Sequence, residues 1–582
     1  MKTPILFVML TAAVTTANPT EKSYDIVVFG GTSAGVAAGI QAKREGRSVI
    51  VLEPSTHIGG LTTGGLGQTD IGNKHVIGGI SREFYQRIRA HYRKPANWKW
   101  QEPEKYQDDG QTRTDPNEDA KWTFEPSAAQ RVLADMIADA DLRILTNQRL
   151  RRDGSGVVKE GATLREIIME DGSRYRAKVF IDATYEGDLL AEAGVSFHVG
   201  RESNATYGET INGAQPAGWA PTLRGAATIT AADLAGMDGP KHPLHQEGLV
   251  SMNSFNHQLK PGISPYVIAG DSSSGLLPGI DPAPMEAPGT GDHRVQAYNY
   301  RVTLTDHPDN RRPIEKPANY DPLNYELLLR HLEAHGPDDW PGVFINSPMP
   351  NRKTDTNNGG GFSTNLIGQN WHWATASYAE REAFAARLRD HILGLFWTLQ
   401  NHPRIREDFR KWIGVWGLPK DEYMDHENFS PQVYVRVGRR MIGELVITQH
   451  HCERLKIEND VVGMAAYGMD SHHVRRYVTE DGHVRNEGNI QGHVTAPYGI
   501  SYRALLPKRE QATNLIVPAA VSSTHIAFGS IRMEPVFMIL GQSAATAAGL
   551  AIENNSTLHD IPYPSLRVRL LAEGQRLAHR PN

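Results

Sequence analysis

The chain has 582 residues, 39% of them hydrophobic and 22% charged, and its formal net charge is -5. This length is enough for several cores or one large two-domain fold, and the mild negative charge provides no basic surface for nucleic acid. The single cysteine, Cys452, excludes an intramolecular disulfide and a C-x-x-C electron relay, so the chain cannot be a disulfide reductase.

Residues 1–17 have the pattern of a secretory signal peptide. Lys2 gives a positive start, residues 5–14 an apolar centre, and residues 15–17 a small-residue exit. This segment is too short to span a bilayer, and no other run of the sequence approaches the roughly 18 apolar residues of a transmembrane helix. The pattern predicts a periplasmic or secreted protein without a transmembrane segment; an ordinary frayed N-terminus is the alternative.

Residues 24–53 predict a dinucleotide-binding unit of strand, glycine turn, helix, strand and terminal acid. Gly30 and Gly35 hold the first and third glycine places of G-x-G-x-x-G, whereas Thr32 holds the second. Glu53 ends the second strand, where a carboxylate accepts hydrogen bonds from ribose hydroxyls. The predicted strands are 25–29 and 49–52. The residues expected to meet a pyrophosphate are Gly30, Gly31, Thr32, Ser33, Ala34 and Gly35.

The glycine-rich run after this unit points to a flavin. Residues 57–67 carry five glycines, which suits backbone that lies against a flat ligand. With these motifs the chain resembles the FAD-dependent oxidoreductases of the glutathione-reductase-like superfamily, in particular a group of exported bacterial enzymes with xanthan-lyase-associated labels. The resemblance implies that Glu53 holds the FAD ribose. It also implies that the run, with Gly59, Gly60 and Leu61, follows the pyrophosphate and isoalloxazine.

The next elements return the chain to the same domain. They are a helix over 126–137, a strand over 142–145, and a β-hairpin of 157–168 and 174–181 joined at Asp171 and Gly172. The hairpin leads into Thr184, which resembles the second flavin signature near the adenine.

The third flavin segment is predicted far along the chain. A strand over 514–519 precedes a loop over 520–531 and a helix that starts at Glu534 and Pro535. The resemblance implies that this helix points its positive end at the flavin pyrimidine and stabilises the negative charge of the reduced flavin. The acid that commonly binds the ribityl chain in the superfamily is replaced within residues 517–520.

About 300 residues separate these flavin segments, enough for a substrate domain. Ser377 and Glu380 form a capping box that predicts a helix with a buried apolar stripe. Residues 353–361 predict a polar, glycine-rich loop suited to hydroxylated ligands, or a solvated turn. The predicted fold is α/β, a Rossmann-like FAD-binding domain of the glutathione-reductase type with an inserted α+β substrate domain. The predicted bounds are 24–200 and 491–582 for the FAD-binding domain and 201–490 for the substrate domain.

Three residues are candidates for the chemistry. Removal of hydride from an alcohol leaves a hydroxyl proton, and histidine has a pKa suited to accept it. His525 is favoured because the loop that holds it is expected beside the isoalloxazine. His472 is second, with Asp470 close enough to orient its imidazole, and a structural role is the alternative for both. Arg532 can bind substrate oxygens or form a structural ion pair. No metal site is predicted, because no set of ligands is fixed by spacing.

The leading predicted function is oxidation of a carbohydrate or other polyhydroxylated alcohol by hydride transfer to flavin N5. Its carbohydrate part is implied by the family resemblance alone. One alternative is a fumarate-reductase-like dehydrogenase or reductase that acts beside a carboxylate, and another is a non-catalytic exported binding protein that retains the FAD fold. The expected partners are FAD, a small-molecule or carbohydrate substrate, and an electron acceptor that the sequence does not identify.

Overall fold

The computed structural model describes residues 22–579 except 109–113, 116, 216–218, 223–224, 229–256 and 336–341. The predicted signal peptide lies outside the described residues. The helices within them are α1 (Ser33–Arg44), α2 (Gly60–Thr63), α3 (Gly79–Tyr92), α4 (Pro126–Asp139), α5 (Asp188–Glu192), α6 (Asn204–Tyr207), α7 (Glu326–Glu333), α8 (Tyr378–Asn401), α9 (Glu407–Ile413), α10 (Gln449–Cys452), α11 (His525–Ile531), α12 (Glu534–Glu553) and α13 (Tyr563–Ala572).

The strands of the same described residues form one large sheet and several small ones. They are β1 (Lys22–Phe29), β2 (Val49–Leu52), β3 (Ile144–Leu145), β4 (Val157–Glu160), β5 (Thr163–Ile168), β6 (Arg174–Asp182), β7 (Phe197–His198), β8 (Trp219–Thr222), β9 (Gly225–Thr228), β10 (Ile280–Asp281), β11 (Val302–Thr305), β12 (Arg311–Arg312), β13 (Phe344–Met349), β14 (Lys353–Asn358), β15 (Leu418–Pro419), β16 (Arg440–Met441), β17 (Val461–Ala465), β18 (Met469–Ser471), β19 (Arg475–Val478), β20 (Val484–Glu487), β21 (Ile490–Gly492), β22 (Tyr498–Ser501) and β23 (Leu515–Ile516).

The large sheet forms the Rossmann-like frame. Its order is β3-β2-β1-β6-β5-β4. Strand β23, which comes more than 300 residues after β6 in the chain, pairs with β6 in parallel. β1 pairs in parallel with both β2 and β6. Its residues 26–29 are completely buried, as a parallel strand covered on both faces requires. The predicted α/β fold and the first two strands are confirmed.

Helix α12 packs directly on α1, which it crosses at Gly541. A Cβ atom at Gly541 would lie 2.1 Å from the Ala34 carbonyl oxygen, so the two backbones approach closely. α12 is the one helix of the described residues that is long and apolar enough to cross a membrane, and 94% of its most apolar window is buried inside the protein. This burial is that of a core helix.

Several predicted helices begin at the residues where the sequence places their N-terminal ends. α4 begins at Pro126 and α12 at Glu534, each with a proline in its first turn. Ser377 and Glu380 form the reciprocal capping box of α8. The apolar stripe of α8 is buried and consists of Phe384, Leu388, Ile392, Leu395 and Leu399.

The predicted β-hairpin over 157–181 is wrong in its first half. The chain turns at Gly161 between β4 and β5, so three antiparallel strands are present instead of two. Gly161 has a φ of +60°, a conformation that favours glycine, and it ends the first strand early. The turn at Gly172 is confirmed, with a φ of +84°.

The predicted polar loop over 353–361 is wrong for its first six residues. They form β14, the middle strand of a three-stranded antiparallel sheet with β11 and β13. The polar side chains are buried in ion pairs: Arg301 Nη2 lies 2.6 Å from Asp355 Oδ2, and Lys353 Nζ lies 2.6 Å from Glu422 Oε1. Because these partners come from distant segments, the local sequence of the strand has the polar composition that is typical of a loop.

The third flavin segment differs from its prediction in two places. β23 covers only 515–516 of the predicted strand. The second half of the predicted loop is helix α11, where the Thr524 side chain accepts a hydrogen bond from the Ala527 amide as the N-cap. His525 is therefore the first residue of a helix and does not lie in a loop.

The residues between the flavin segments form small sheets and helices α6 to α10. β17 pairs with β22 across the predicted boundary at 490, and β7 pairs with β16 across the one at 200. The domain boundaries therefore stay predictions. The region lies in the chain between β6 and β23, which are neighbours in the large sheet, so it is an insertion into the domain that contains this sheet.

Candidate active site

The glycine turn after β1 is closely packed. Gly30 has a φ of +104°, and a Cβ atom there would lie 2.7 Å from the Thr184 amide nitrogen. A Cβ atom at Gly35 would lie 1.8 Å from the Gly30 carbonyl oxygen. Thr32, in the second glycine place, is the N-cap of α1: its hydroxyl donates to the Ala183 carbonyl at 2.7 Å and accepts from the Gly35 amide at 3.3 Å. The departure from the glycine pattern thus supplies a helix cap.

Glu53 lies beside this turn. Its Oε2 accepts from the Gly31 amide at 2.6 Å, and its Oε1 accepts from the Ser55 amide at 2.8 Å. Burial raises the pKa of Glu53, and the hydrogen bonds from these amides oppose that rise. The carboxylate lines a cavity of about 210 Å³ together with Thr32 and Thr184.

A second buried carboxylate, Glu534, joins the three flavin segments. It accepts hydrogen bonds from three hydroxyl groups: Ser33 at 2.5 Å, Thr62 at 2.8 Å and Tyr185 at 2.7 Å. The Tyr185 oxygen also accepts from the Leu61 amide at 3.0 Å. The starts of α1, α2 and α12 therefore meet at one point. The adjoining predicted residues Gly59, Gly60 and Pro535 are at the same helix starts.

Asp470, at the centre of β18, connects two of the predicted catalytic residues. Its Oδ2 lies 3.0 Å from His472 Nε2 and accepts from Arg532 Nη2 at 2.8 Å. Arg532 also donates to the Tyr434 hydroxyl. Burial opposes ionisation of Asp470, but His472 and Arg532 hold the pKa of this carboxyl well below its usual range. The Asp470 cluster is defined as Asp470, His472, Arg532 and Tyr434.

Arg436 borders the Asp470 cluster and was missed by the sequence reasoning. Its Nη2 donates to Asn358 Oδ1 at 2.9 Å, and the Asn358 amide lies 3.2 Å from His472 Nδ1. Arg436 is completely buried, and burial lowers its pKa to about 9. Four buried atoms here have no hydrogen-bond partner among the described residues, namely Asp470 Oδ1, Arg532 Nε, Arg436 Nε and His473 Nε2.

The Asp470 cluster contacts both segments that the family resemblance places at the isoalloxazine. Tyr434 packs with Leu61 and Leu66 of the glycine-rich run. Arg532 lies two residues before Glu534, the first residue of α12. The cluster therefore lies between the glycine-rich run and the positive end of α12.

Comparison with known families decides the class of the protein. The family model described as FAD dependent oxidoreductase matches residues 25–570. The chain belongs to this family. As a member it is an FAD-dependent oxidoreductase, and FAD is its cofactor. No curated protein sequence matches the chain.

Solved flavoprotein structures are similar to part of this oxidoreductase. A flavin-containing monooxygenase from Stenotrophomonas maltophilia has 19% identity, covers 32% of this chain and 44% of its own, and has a TM-score of 0.18. A 3-ketosteroid-delta4-(5alpha)-dehydrogenase from Rhodococcus jostii RHA1 has 20% identity, with 31% and 50% covered and a TM-score of 0.19. The chain spans half or less of each structure, and neither match carries an argument about substrate.

The residues of this oxidoreductase fit FAD at its adenosine and pyrophosphate end. The first-turn amides of Ser33 and Ala34 have no acceptor within α1, so they are donors for a pyrophosphate. Glu53 offers a carboxylate to the ribose hydroxyls. The cavity of about 210 Å³ is smaller than the roughly 300–1,000 Å³ of sites that enclose a drug-sized ligand, so it matches one part of FAD.

His525 has polar partners that differ from those of the Asp470 cluster. Its backbone amide donates to Glu202 Oε2 at 2.9 Å, and Glu202 also forms an ion pair with Arg440 at 2.7 Å. Burial and the charge of Arg440 hold the pKa of His525 well below its usual value. Among the described residues His525 shares no hydrogen-bond partner with the cluster, although helix α11 meets the Asp470 backbone one turn later, at Gly529.

The acidic and histidine side chains do not suggest a metal centre. Among the residues that the structure describes, no group of three or more His, Cys, Asp or Glu side chains is arranged to hold a metal ion. The histidines next to each other in sequence have separate partners: His450 bonds the Gly208 carbonyl, and His451 bonds the Thr448 hydroxyl. The expectation of no metal stays a prediction.

Proposed function

We propose that this oxidoreductase oxidises a polyhydroxylated alcohol and that His472 accepts the hydroxyl proton. The observation that carries the proposal is the shared Asp470 Oδ2, which binds His472 and Arg532 at the start of α12. FAD supplies the hydride acceptor when bound. A carbohydrate as the alcohol, and an exported location, are parts of the proposal that rest on the sequence resemblance and the signal-peptide pattern.

The hydrogen bonds around His472 determine how it accepts a proton. Asp470 accepts from Nε2, so Nδ1 keeps the free electron pair. The Asn358 amide now lies 3.2 Å from Nδ1, in the place that a substrate hydroxyl would take. Burial and the charge of Arg436 lower the pKa of His472 to about 3, so the imidazole is neutral at physiological pH but weakly basic, and its proton uptake depends on the neighbouring carboxylate. Once it is protonated, Asp470 stabilises the imidazolium.

Arg532 and Tyr434 orient the substrate in this proposal. Arg532 Nε is buried without a partner among the described residues, so it has a donor available for a substrate oxygen. The Tyr434 ring packs on Leu61 and Leu66, which fixes its hydroxyl beside Arg532. This arrangement would hold the reacting carbon in place, and Asp470, Arg532 and Tyr434 are buried on one side of the half-buried His472.

A second candidate function is supported by Arg436. This guanidinium is completely buried, and among the described residues no carboxylate lies within ion-pair distance of it. Such a cation favours a substrate carboxylate, as in the fumarate-reductase-like alternative. In that case Arg436 would bind the carboxylate and Arg532 would donate the proton.

Anaerobic stopped-flow measurement of flavin reduction tests the proposal with His472→Gln and the matched variant His525→Gln. Glutamine at 472 keeps a donor for Asp470 but loses the basic nitrogen. With sorbitol or glucose as substrate, His472→Gln is expected to slow flavin reduction at least about 100-fold, the lower limit of a general base. The rate should recover in part as pH rises, because hydroxide replaces the base.

His525→Gln is expected to reduce the flavin at the wild-type rate. The flavin absorbance spectrum of each variant checks that FAD is still bound. Flavin reduction at the wild-type rate in His472→Gln would refute the role of His472 as the base. Slow flavin reduction in His525→Gln would indicate that His525 is the base instead. Flavin bleached by succinate or lactate but by no polyol would support the second function instead.

A further inference from the structure

The cavity of about 210 Å³ beside Glu53 is lined by four carboxylates of the described residues. Two of them are held in ion pairs: Asp188 pairs with Arg381 at 2.6 Å, and the exposed Glu382 is also paired. The other two are Glu53 and Glu186, and among the described residues neither has a basic side chain within ion-pair distance. The cavity therefore presents two unpaired carboxylates to a bound nucleotide.

Glu186 follows the second flavin signature, which ends at Thr184. It is half-buried and lines the cavity. Its Oε1 accepts a hydrogen bond from Trp373 Nε1 at 3.1 Å. No other residue in the described part of the chain donates a hydrogen bond to this carboxylate. One oxygen of Glu186 is therefore anchored, and the other is available to a ligand in the cavity.

Trp373 comes from the inserted region and is fixed by its packing. It is 8% exposed, and its ring makes edge contacts with Tyr298 and Phe384 at centroid distances of 5.7 and 5.5 Å. The Arg381 guanidinium lies 5.6 Å from the centroid of the indole ring. Because the indole N–H is a donor only, Trp373 holds an acceptor oxygen of Glu186 in a fixed place.

The free oxygen of Glu186 lacks a hydrogen-bond donor. Burial raises the pKa of Glu186, and the charge of Arg381 opposes that rise. The negative charge of Glu186 also contributes to the raised pKa of Glu53. A partly buried carboxylate without an ion pair is costly unless hydrogen bonds compensate it, so a donor group on the ligand would stabilise it.

The adenosine half of FAD carries two kinds of donor, the ribose hydroxyls and the 6-amino group of adenine. The pyrophosphate is anionic and has only acceptors, so a carboxylate repels it. Glu53 is matched to the ribose hydroxyls by its place at the end of β2. A second carboxylate on the same pair of hydroxyls would bring the two negative charges together. The amino group is the donor that remains for Glu186.

We propose that Glu186 selects the adenine of FAD by accepting a hydrogen bond from its 6-amino group, with Trp373 as the positioning residue. The inserted region then takes part in the choice of cofactor, because Trp373 fixes the acceptor. The proposal goes beyond the proposed function. It rests on FAD as the cofactor of the family and does not depend on which substrate is oxidised.

Competition between FAD and an analogue in which purine replaces adenine tests the proposal, because the analogue lacks only the amino group. The full-length holoenzyme is equilibrated with an equimolar excess of both flavins, and the bound flavin is separated by gel filtration and quantified by mass spectrometry. The wild type is expected to hold at least about ten times more FAD than analogue, the lower end of what a hydrogen bond to a charged group contributes. Equal amounts of the two flavins would overturn the proposal without the use of any variant.

Glu186→Gln keeps the size of the side chain and changes the group that faces the cavity. The Trp373 N–H needs an acceptor, so the glutamine oxygen takes that place and the NH2 group faces the ligand. This variant is expected to bind both flavins equally. Glu382→Gln, at an exposed position of the same cavity, is the matched control and should keep the wild-type ratio. A Glu186→Gln variant with the wild-type ratio would overturn the proposal.

Trp373→Phe tests the positioning role. The phenyl ring keeps the packing against Tyr298 and Phe384 but has no N–H to hold Glu186. Its ratio of bound FAD to purine analogue is expected to lie between those of the wild type and Glu186→Gln. An unchanged ratio would refute the positioning role of Trp373.

A second competition, between FAD and its 2′-deoxyadenosine analogue, separates the adenine from the ribose. Glu186→Gln is expected to keep the wild-type ratio for this pair. A changed ratio here, with an unchanged ratio for the purine pair, would place Glu186 at the ribose and overturn the proposal. Neither competition involves a substrate. An enzyme that gives the expected ratios but is reduced by no polyol would keep this proposal and refute the proposed function.

Discussion

At the scale of single residues, two buried carboxylates lie at the segments that are predicted to bind FAD, Glu53 beside the glycine turn and Glu534 at the start of α12. They are 8% and 3% exposed, and burial raises the pKa of both. Among the described residues neither lies within ion-pair distance of a basic side chain, so amides and hydroxyls are their partners. A carboxylate that has no basic side chain as a partner is suited to accept hydrogen bonds from the hydroxyl groups of the ribose and the ribityl chain. The N-terminal ends of the helices supply positive potential for the pyrophosphate.

Glu53→Gln is expected to weaken FAD binding. The amide group loses the charge and turns one acceptor into a donor that faces the Gly31 and Ser55 amides. Hydrogen bonds to a charged group contribute about 1.5–3 kcal/mol, so the Kd should rise about 10- to 100-fold. Fluorescence titration of the apoprotein with FAD measures the change. Glu382→Gln, which lines the same cavity from an exposed position, should leave the Kd unchanged, and equal Kd values for both variants would refute this role of Glu53.

The candidate catalytic residues show which contacts a sequence reveals. His472 and Asp470 are two positions apart, so their pairing followed from proximity and is present. Tyr434 and Arg436 were missed because their partners lie far away in the sequence, although the alternation of Tyr and Arg with valines in 433–437 marks a strand-like segment with one polar face. His525 was placed near the flavin from its loop, but the N-cap at Thr524 makes it the first residue of a helix, and its position beside the flavin stays a prediction.

At the scale of elements, the contact between α1 and α12 brings the first and last flavin segments together. Both helices are rich in small residues where they meet, so their backbones approach more closely than larger side chains allow. Glu534 at the start of α12 bonds Ser33 at the start of α1 at 2.5 Å. The position of the FAD site therefore depends on the separation of these two helices.

Gly541→Ala tests this dependence, with Gly549→Ala on the same helix as the matched control. The new methyl group at 541 would meet backbone, the Ala34 carbonyl, whereas at 549 it would meet Glu45 Oε2, the end of a flexible side chain. Gly541→Ala is expected to lower the free energy of unfolding by about 1–3 kcal/mol and to weaken FAD binding. Gly549→Ala is expected to be neutral or to stabilise by up to about 1 kcal/mol. Chemical denaturation of both variants measures the difference, and equal unfolding free energies would contradict a close backbone contact at 541.

Elements were predictable where a local signal defines their ends. The prolines of α4 and α12 and the capping box of α8 are such signals, and all three helices begin as predicted. β14 had no such signal, because its polar residues are compensated by Arg301 and Glu422 from other parts of the chain. Buried ion pairs between distant segments give a strand the composition of a loop, and only the folded structure shows them.

At the scale of the whole molecule, one sheet joins distant parts of the chain. β23 completes a sheet whose other strands all come before residue 183, and the region between them folds over the site. The glycine signature revealed the frame because it is local, whereas the proposed substrate site is formed by segments such as 433–437, whose neighbours are set by tertiary packing. The class of the fold was therefore predictable, and the shape of the substrate site was not.

The N-terminal segment gives a prediction for the whole chain. We propose that the protein is exported and cleaved near Ala17, from the charged start, apolar centre and small-residue exit of residues 1–17. The large sheet begins at Lys22 with β1, and the glycine turn begins at Gly30, so removal of residues 2–17 leaves every described contact of the FAD site in place. The shortened chain is therefore expected to fold with one FAD, whereas removal through Ile26 deletes five of the eight residues of β1 and should abolish FAD binding. Absorbance of the bound flavin measures FAD content, and mass analysis of the N-terminus in the native host measures cleavage. A shortened chain without FAD would contradict the structural claim, and an intact Met1 on a cytoplasmic protein would contradict export.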